Sequence, residues 1–311
     1  MNVKSNIGSI GNAGEPFVDL VSRRVKGIYP DIVRDIEDVN QYLKEARRLR
    51  NSTNTSRITV RFITPTGLEI PNTEVLILLS GNWGGYQIVY YGENLLERIT
   101  PKDVLEQENQ IVSWVLKNRR RDSPLGRIRE LEYNVTVLSI PTSDDIRQLT
   151  RVYLEAFSEN GNAKYIFEIN EDNVRQLVTN PTSRVVVARN NEGEIVSTII
   201  GETSMIKTSR GNLVICEYSD EATLRAYRRH GLSQACLELL GKEPYINRGV
   251  DLLYAEARAL NIGANKVPAN LGYQYDGRLV QHCLIGGDRD IRDYQADVED
   301  LNVWHLPEVG I

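Results

Sequence analysis

The apolar positions of the first third of the chain change period several times. Phe17, Leu20, Val21 and Val25 recur at helical spacing, and after Pro30 a second helical run carries Ile32, Ile36, Val39, Tyr42 and Leu43, so two amphipathic helices are predicted. The polar stretch NSTNTS at 51–56 separates them from ITVRFI and EVLILLS, short apolar runs bounded by Pro65, Gly67 and Pro71. YQIVYYG follows the turn-forming GNWGG at 81–85, and all three runs read as strands. Thr100 before Pro101 marks a helix start, with Thr100 as N-cap and Glu106, Ile111, Trp114 and Val115 carrying the helix to about Arg119. Residues 16–120 therefore read as a small α+β domain of unassigned role, preceded by a loose Gly-, Asn- and Ser-rich arm at 1–15. The segment NRRRDSPLGR (118–127) opens a linker at 118–130; its basic run reads as solvated, the rival being phosphate or nucleic-acid contact.

From residue 131 to 311 the elements follow a recognisable order. YNVTVLSI (133–140) is a strand, Thr142 and Ser143 cap an amphipathic helix through Ile146, Leu149, Val152, Tyr153 and Phe157, and a second short helix surrounds Val174 and Leu177. SRVVVAR, IVSTIIGETSMI and LVICEYS are strands joined by the turns NNEGE and SRGN. A helix at about 229–241, a strand at 251–258, a helix near 261–270, strands around 273–285 and a final EDLNVWHL strand complete the chain. This β-α-α-β-β-β-α-β-α-β order implies a mixed central sheet flanked by helices, with one parallel βαβ crossover at its centre. Whether the strands near 273–305 pair within the chain or across a homodimer is left open.

Composition narrows the class. The 311 residues hold 41% hydrophobic and 25% charged positions, the ordinary globular range, and no run approaches the roughly 18 apolar residues of a membrane span. The N-terminus lacks the apolar core of a signal peptide. With 37 basic and 42 acidic residues the net charge is -5, which gives no electrostatic reason to expect nucleic acid. Cys216, Cys236 and Cys283 are too few and too scattered for a disulfide framework or zinc site, and His230, His282 and His305 form no metal pair; a reducing cytoplasm and no metal are expected.

Candidate chemistry centres on EATLRAYRRHGLSQACLELL (221–240), where Arg228-Arg229-His230-Gly231-Leu232-Ser233 opens a helix. Consecutive backbone N–H groups at a helix start, two arginines and a glycine permitting close approach suit a phosphate or pyrophosphate, although a solvated helix start would look the same. The stretch resembles the acyl-coenzyme A signature of the GNAT superfamily of N-acetyltransferases, Gln/Arg-x-x-Gly-x-Gly/Ala after a central strand; Arg228 and Gly231 match and Ser233 departs. The element order from 133 to about 285 looks like that fold as well.

The resemblance implies that the backbone of Arg229, His230, Gly231, Leu232 and Ser233, beside Arg228, holds the pyrophosphate of acetyl-CoA. It further implies that backbone groups of Ala222 and Thr223 meet pantetheine and the thioester carbonyl, and that Asn261, also readable as an N-cap, touches the pantetheine arm. Glu217, eleven residues before Arg228, stands where some members carry a general-base glutamate; a strand carboxylate paired with arginine is the rival reading. Where many members place a tyrosine acid, four residues before a Gly-aromatic pair (here Gly272-Tyr273), this chain has Pro268, so the acid falls to Tyr273, Tyr254 or water.

Segments including CEYSDEATLRAYRRHGLSQACLELL and LLYAEARALNIGANKVPANLGYQYDGRL are similar to the β-lysine N-acetyltransferase group, which implies a small-molecule amine acceptor such as a diamino acid. Glu202, Glu217, Asp220, Glu256 and Arg258 are candidates to receive it, or else solvated or paired residues. Tyr153, Phe157 and Tyr165 read as core rather than substrate lid, and Trp83 with Tyr86 as turn packing rather than a ligand platform. The rival function is a non-catalytic acyl-CoA sensor or scaffold whose activity resides in the N-terminal domain.

Overall fold

A computed structural model of the chain describes residues 14–307 apart from 20–23, 54, 96–98, 121–122, 160–161, 164–167, 244–248 and 285–297. The expected arm at 1–13, Leu20, Val21 and Tyr165 lie outside the described residues. In chain order the elements are β1 (Phe17–Asp19), β2 (Arg24–Ile32), α1 (Ile36–Thr53), β3 (Arg57–Pro65), β4 (Thr73–Leu78), β5 (Tyr86–Asn94), α2 (Lys102–Lys117), α3 (Pro124–Glu130) and β6 (Asn134–Val137). They continue with α4 (Ser143–Phe157), β7 (Ser158–Glu159), β8 (Asn162–Ala163), α5 (Glu171–Val178), β9 (Ser183–Arg189), β10 (Ile195–Thr208) and β11 (Gly211–Thr223). The last are α6 (Leu232–Lys242), β12 (Leu252–Arg258), α7 (Ile262–Asn270), β13 (Gln274–Leu284) and β14 (Val298–His305).

The architecture is mixed α/β. Twelve strands form one sheet in the order β1-β2-β3-β5-β4-β13-β14-β12-β11-β10-β9-β6. The parallel pairing of β11 with β12, joined through α6, is the crossover the element order demands. A second parallel pair, β2 with β3 through α1, lies in the N-terminal half. β13 and β14 pair with each other, with β4 and with β12, all within one chain.

Three expectations are corrected. Phe17 and Val25 do not lie on a helix: Phe17–Asp19 is a strand paired with β2, itself a strand from Arg24 through Ile32. Four apolar residues over nine positions fit a short buried strand as well as a helix face, and the strand gains hydrogen bonds to β3 that an isolated turn lacks. Thr100 does not cap α2; its hydroxyl donates to Asp300 Oδ1 at 2.6 Å, and Pro101 occupies the N-cap position. Thr142 does cap α4, exchanging hydrogen bonds with Asp145. Where a linker was read, Pro124–Glu130 forms a short helix that buries Ile128.

The sheet folds back on itself. Ile28, Ile63, Ile77, Ile88 and Tyr90 of the N-terminal strands pack against Ile206, Ile215, Leu252, Tyr254 and Val303 of the C-terminal strands, so the two halves meet face to face. The outer face of the N-terminal half is covered by α1 through Val39, Leu43 and Ala46. Helices α3 to α7 contribute Ile128, Leu149, Leu177, Leu240 and Ala269 to the core on the outer face of the C-terminal half.

The two halves of the sheet are joined at Gly277, which pairs with Val75 across β13 and β4. Its φ is 146°, and a Cβ there would lie 2.6 Å from the Glu74 carbonyl oxygen, so no other residue allows the strands this close. Gly277→Ala is expected to lower unfolding stability by about 2–3 kcal/mol, read from the urea midpoint at constant m value; an unchanged midpoint would show that the joint tolerates a side chain.

Candidate active site

Three features converge on the C-terminal end of β11. The first is an opening in the sheet. β11 and β12 pair from Ile215 with Leu252 to Tyr218 with Ala255, and the ladder with β12 ends there, while Ser219, Ala222 and Thr223 continue to pair with β10. The register with β10 shifts between Thr198 and Ile200, which leaves Asp220 (φ 52°) and Glu221 opposite Ile199 as a bulge that turns the strand. Leu224 N–H bonds to Val196 on β10 and Ala222 O accepts from Ser197 Oγ, so by alternation the N–H and C=O of Thr223 face the opening.

The second is the loop that leads into α6. Arg229 (φ 69°) and Gly231 (φ 86°) are both left-handed, an arrangement that aims successive N–H groups into one concavity at a helix N-terminus. Arg228 bonds the Thr223 carbonyl at 3.3 Å and the Ala156 carbonyl at 3.2 Å, fixing the loop to the strand. His230 meets the Tyr133 hydroxyl at 2.8 Å. Arg228, Arg229 and His230 are exposed, while Leu232 is buried and anchors the helix. Ser233 bonds Thr223 Oγ1 at 2.9 Å, so its hydroxyl ties helix to strand where the motif usually has Gly or Ala. Arg127 of α3 was not singled out by sequence; its Nη2 lies 2.8 Å from where a Gly231 Cβ would be.

The third is a cluster of charged groups in the seam between the two half-sheets. Glu217 and Glu202 are directly opposed on β11 and β10. Tyr254 donates to Glu217 Oε2 at 2.6 Å. Arg61 lies 2.9 Å from Glu256 and 3.8 Å from Glu217, its guanidinium 4.8 Å from the Tyr90 ring centre and 5.3 Å from that of Tyr254. Glu202 is 6% exposed and its Oε1 has no hydrogen-bond partner among the described residues.

Burial sets the protonation of this cluster. Desolvation, then the neighbouring Glu256 charge, raises the Glu217 carboxyl to about 7 against the pull of Arg61 and Tyr254. Desolvation, then Asp220 and Glu217, raises Glu202 further, to about 9. Lys26 of β2 is lowered, first by burial and then by Arg24. His282 Nε2 lies 3.6 Å from Glu256, and burial with Arg24, Arg57 and Lys26 nearby drives its pKa well down, so it is neutral there.

The other sequence candidates fall elsewhere. Tyr273 is buried in the helix-covered core, edge-on to Tyr218 at 6.0 Å, on the face of β11 opposite Glu217. Asn261 caps α7, accepting from Ala264 N–H at 3.1 Å. Arg258 is held by both carboxylate oxygens of Glu299, an ion pair rather than an acceptor group. Tyr153 stacks on Phe157 in the core, and Trp83 is buried with Arg210 5.9 Å from its ring centre.

The chain can be set beside known proteins. It is 36% identical over 90 residues to the N-acetyltransferase YodP of Bacillus subtilis, covering 28% of each chain. It is 24% identical over 172 residues to the β-lysine N(6)-acetyltransferase of Methanococcus maripaludis, covering 54% of this chain and 53% of that one. By sequence the chain is similar to N-acetyltransferases. These relatives bear out the resemblance to the GNAT superfamily. The chain spans about half or less of the length of the curated relatives it matches. No family model matches it. Among solved structures it superposes on a ribosomal-protein-alanine N-acetyltransferase from Brucella melitensis at 19% identity, covering 56% of this chain and 99% of that one (TM-score 0.42). A GNAT superfamily phosphinothricin acetyltransferase from Sinorhizobium meliloti, solved with acetyl-CoA, gives 17%, 57%, 89% and 0.42. Among the described residues no helix is long and apolar enough to cross a membrane.

Sequence reasoning missed the N-terminal contribution. Arg57, Thr59 and Arg61 alternate with Ile58, Val60 and Phe62 on β3, a pattern that reads as one solvent face and one buried face. In the structure all six are buried, so the polar stripe faces the second half-sheet. The raised carboxyls make a stability prediction. The native state holds protons on Glu202 and Glu217 that an unfolded chain, titrating near the ordinary glutamate value of 4.5, has released. Their contribution to stability is therefore lost as pH rises from about 5 to 9. Glu202→Gln should gain on the parent across that range by on the order of 1–2 kcal/mol, measured as the difference in denaturant midpoints at pH 6 and pH 9; parallel midpoint curves would place Glu202 in a wetter environment.

Proposed function

We propose that this chain transfers the acetyl group of acetyl-CoA to a primary amine of a small molecule, and that the amine enters on the Glu217 side of the sheet opening. The observation that carries the reading is the opening itself. Strand β11 leaves β12 directly after Glu217 and Tyr218, exposes the backbone of Thr223, and runs into the N–H concavity at Arg229–Gly231. One continuous path thus joins a carboxylate able to take a proton near neutrality to an anion cradle, which suits an acyl thioester bearing a pyrophosphate.

The residues present fit acetyl-CoA. The amides of Arg229 to Ser233 would hold its pyrophosphate, with Arg228, Arg229 and Arg127 as cationic neighbours; Ala222 and Thr223 would meet the pantetheine and thioester, and Asn261 the pantetheine arm. Bound there, the co-substrate supplies the activated acyl carbon. The deprotonated amine attacks that carbon, the C–N bond forms as the C–S bond breaks, and Glu217 takes the proton the nitrogen sheds. The Thr223 N–H supports the oxyanion. With Pro268 in the usual place of the acid and Tyr273 buried in the core on the face of β11 away from Glu217, water at the opening returns a proton to the thiolate. A diamino acid such as β-lysine is the first acceptor to try, on the likeness to the archaeal enzyme.

Acetyl-CoA at a hundredfold excess over its Kd should stabilise the protein by about 2.7 kcal/mol, seen as a raised melting midpoint. Gly231→Asp introduces a carboxylate and a side chain at φ 86°, and should abolish that shift while lowering the ligand-free midpoint by only a few degrees. A full shift in the variant removes the cradle from the account. Glu217→Gln should keep the acetyl-CoA shift but lower the rate of thiol release by about 10²–10⁴-fold. It should also flatten the rise in rate that the parent shows through pH 7. Binding with no thiol release from any amine would favour an acyl-CoA sensor.

A further inference from the structure

The N-terminal half supplies a wall of the seam next to Glu217, and its chemistry differs from that of the C-terminal wall. On the C-terminal side stand Glu202, Glu217 and Glu256; on the N-terminal side stand Arg24, Lys26 and Arg61, all on strands β2 and β3. Most of these charges are already matched. Arg24 bonds Asp19 at 3.2 Å and the His282 carbonyl at 3.0 Å, and Arg61 bonds Glu256 at 2.9 Å.

Two groups are not matched in the same way. Among the described residues the acid paired with Lys26 is Asp19, at 3.9 Å, beyond hydrogen-bond reach. The Lys26 side chain is 25% exposed and is the least buried cation of this wall. The Glu202 Oε1 atom, on a residue only 6% exposed, has no hydrogen-bond partner among the described residues. A buried carboxyl oxygen without a partner is costly unless a donor arrives, and an ammonium in poor contact with its acid is open to a second anion. Lys26 on β2 and Glu202 on β10 lie on strands that pack against each other across the seam.

We propose that the acceptor is an amine that also carries a carboxylate, with its amino end received between Glu202 and Glu217 and its carboxylate by Lys26 from the N-terminal half. This deepens the acetyltransferase reading and rests on it. The N-terminal half is then the part of the chain that selects the acceptor, while the C-terminal half holds acetyl-CoA. Arg61, held by Glu256 and the two tyrosine rings, positions Glu217 and stays out of contact with the acceptor.

The test compares lysine with cadaverine, the same chain without the carboxylate, and ornithine with putrescine, using thiol release from acetyl-CoA and melting midpoints with each amine. For the parent, kcat/KM for each amino acid should exceed that of its decarboxylated partner by about 10- to 100-fold, the worth of one charge-assisted contact. Lys26→Met should collapse that ratio below threefold, and Lys26→Arg should restore part of it. Equal rates for the two amines with the parent, or an unchanged ratio in Lys26→Met, overturn the proposal while leaving the acetyltransferase reading intact. No thiol release with any amine, but a lysine-induced rise in the midpoint that Lys26→Met loses, overturns the acetyltransferase reading and keeps the carboxylate site. Neither release nor a midpoint rise overturns both.

Discussion

The desolvation of one polar stripe governs much of what is distinctive in this structure. Arg57, Thr59 and Arg61 would face water if the N-terminal strands stood alone; here they are closed beneath the C-terminal strands. Burying guanidinium groups is costly unless every donor is used, and the partners are present: Glu74, Asn94 and the Val280 carbonyl for Arg57, and Glu256 with two tyrosine faces for Arg61. Those partners come from both halves, so the ion cluster sets how one half-sheet lies on the other. The same closure that demands the pairs also removes water from Glu217 and Glu202 and raises their pKa values. Structural constraint and chemical readiness share one cause.

A second constraint acts on the strand that crosses the site. β11 must pair with β10 along its length, yet leave β12 after Tyr218, and the bulge at Asp220 and Glu221 makes both conditions compatible. The strand then hands over to a loop pinned by Arg228 and Ser233, in which Arg229 holds a conformation that side chains avoid. A non-glycine residue in the left-handed region persists only where its surroundings impose it. Here the result is a set of amide groups at a helix end, on the same path as the opening and the carboxylate.

The division of labour between the halves follows. Under the proposed function the C-terminal half holds the acyl donor and the base. The N-terminal half closes the seam, contributes Lys26, Arg61 and Tyr90 to it, and is joined to the C-terminal sheet through Gly277. A β-strand buried on both faces with charge on one of them marks that seam.

The local sequence of this protein was enough for those features that depend on neighbours in the chain. The crossover around α6, the capping of α4 by Thr142, the glycine at the head of α6 and the standing of Glu217 on its strand were all legible, because periodicity, caps and turns are set within about a dozen residues. The strands at 17–32 were misread because a short apolar run fits either period until a partner strand supplies its hydrogen bonds. Thr100 was misread as a cap because Asp300, two hundred residues on, offered its hydroxyl a better partner. What only the tertiary structure decided is the site's far wall. Arg61 meets Glu217 and Glu256 because the N-terminal strands, joined to the C-terminal ones through Gly277, pack over them, and the proton affinity of Glu217 depends on the dielectric of a fold, which no single stretch of sequence contains.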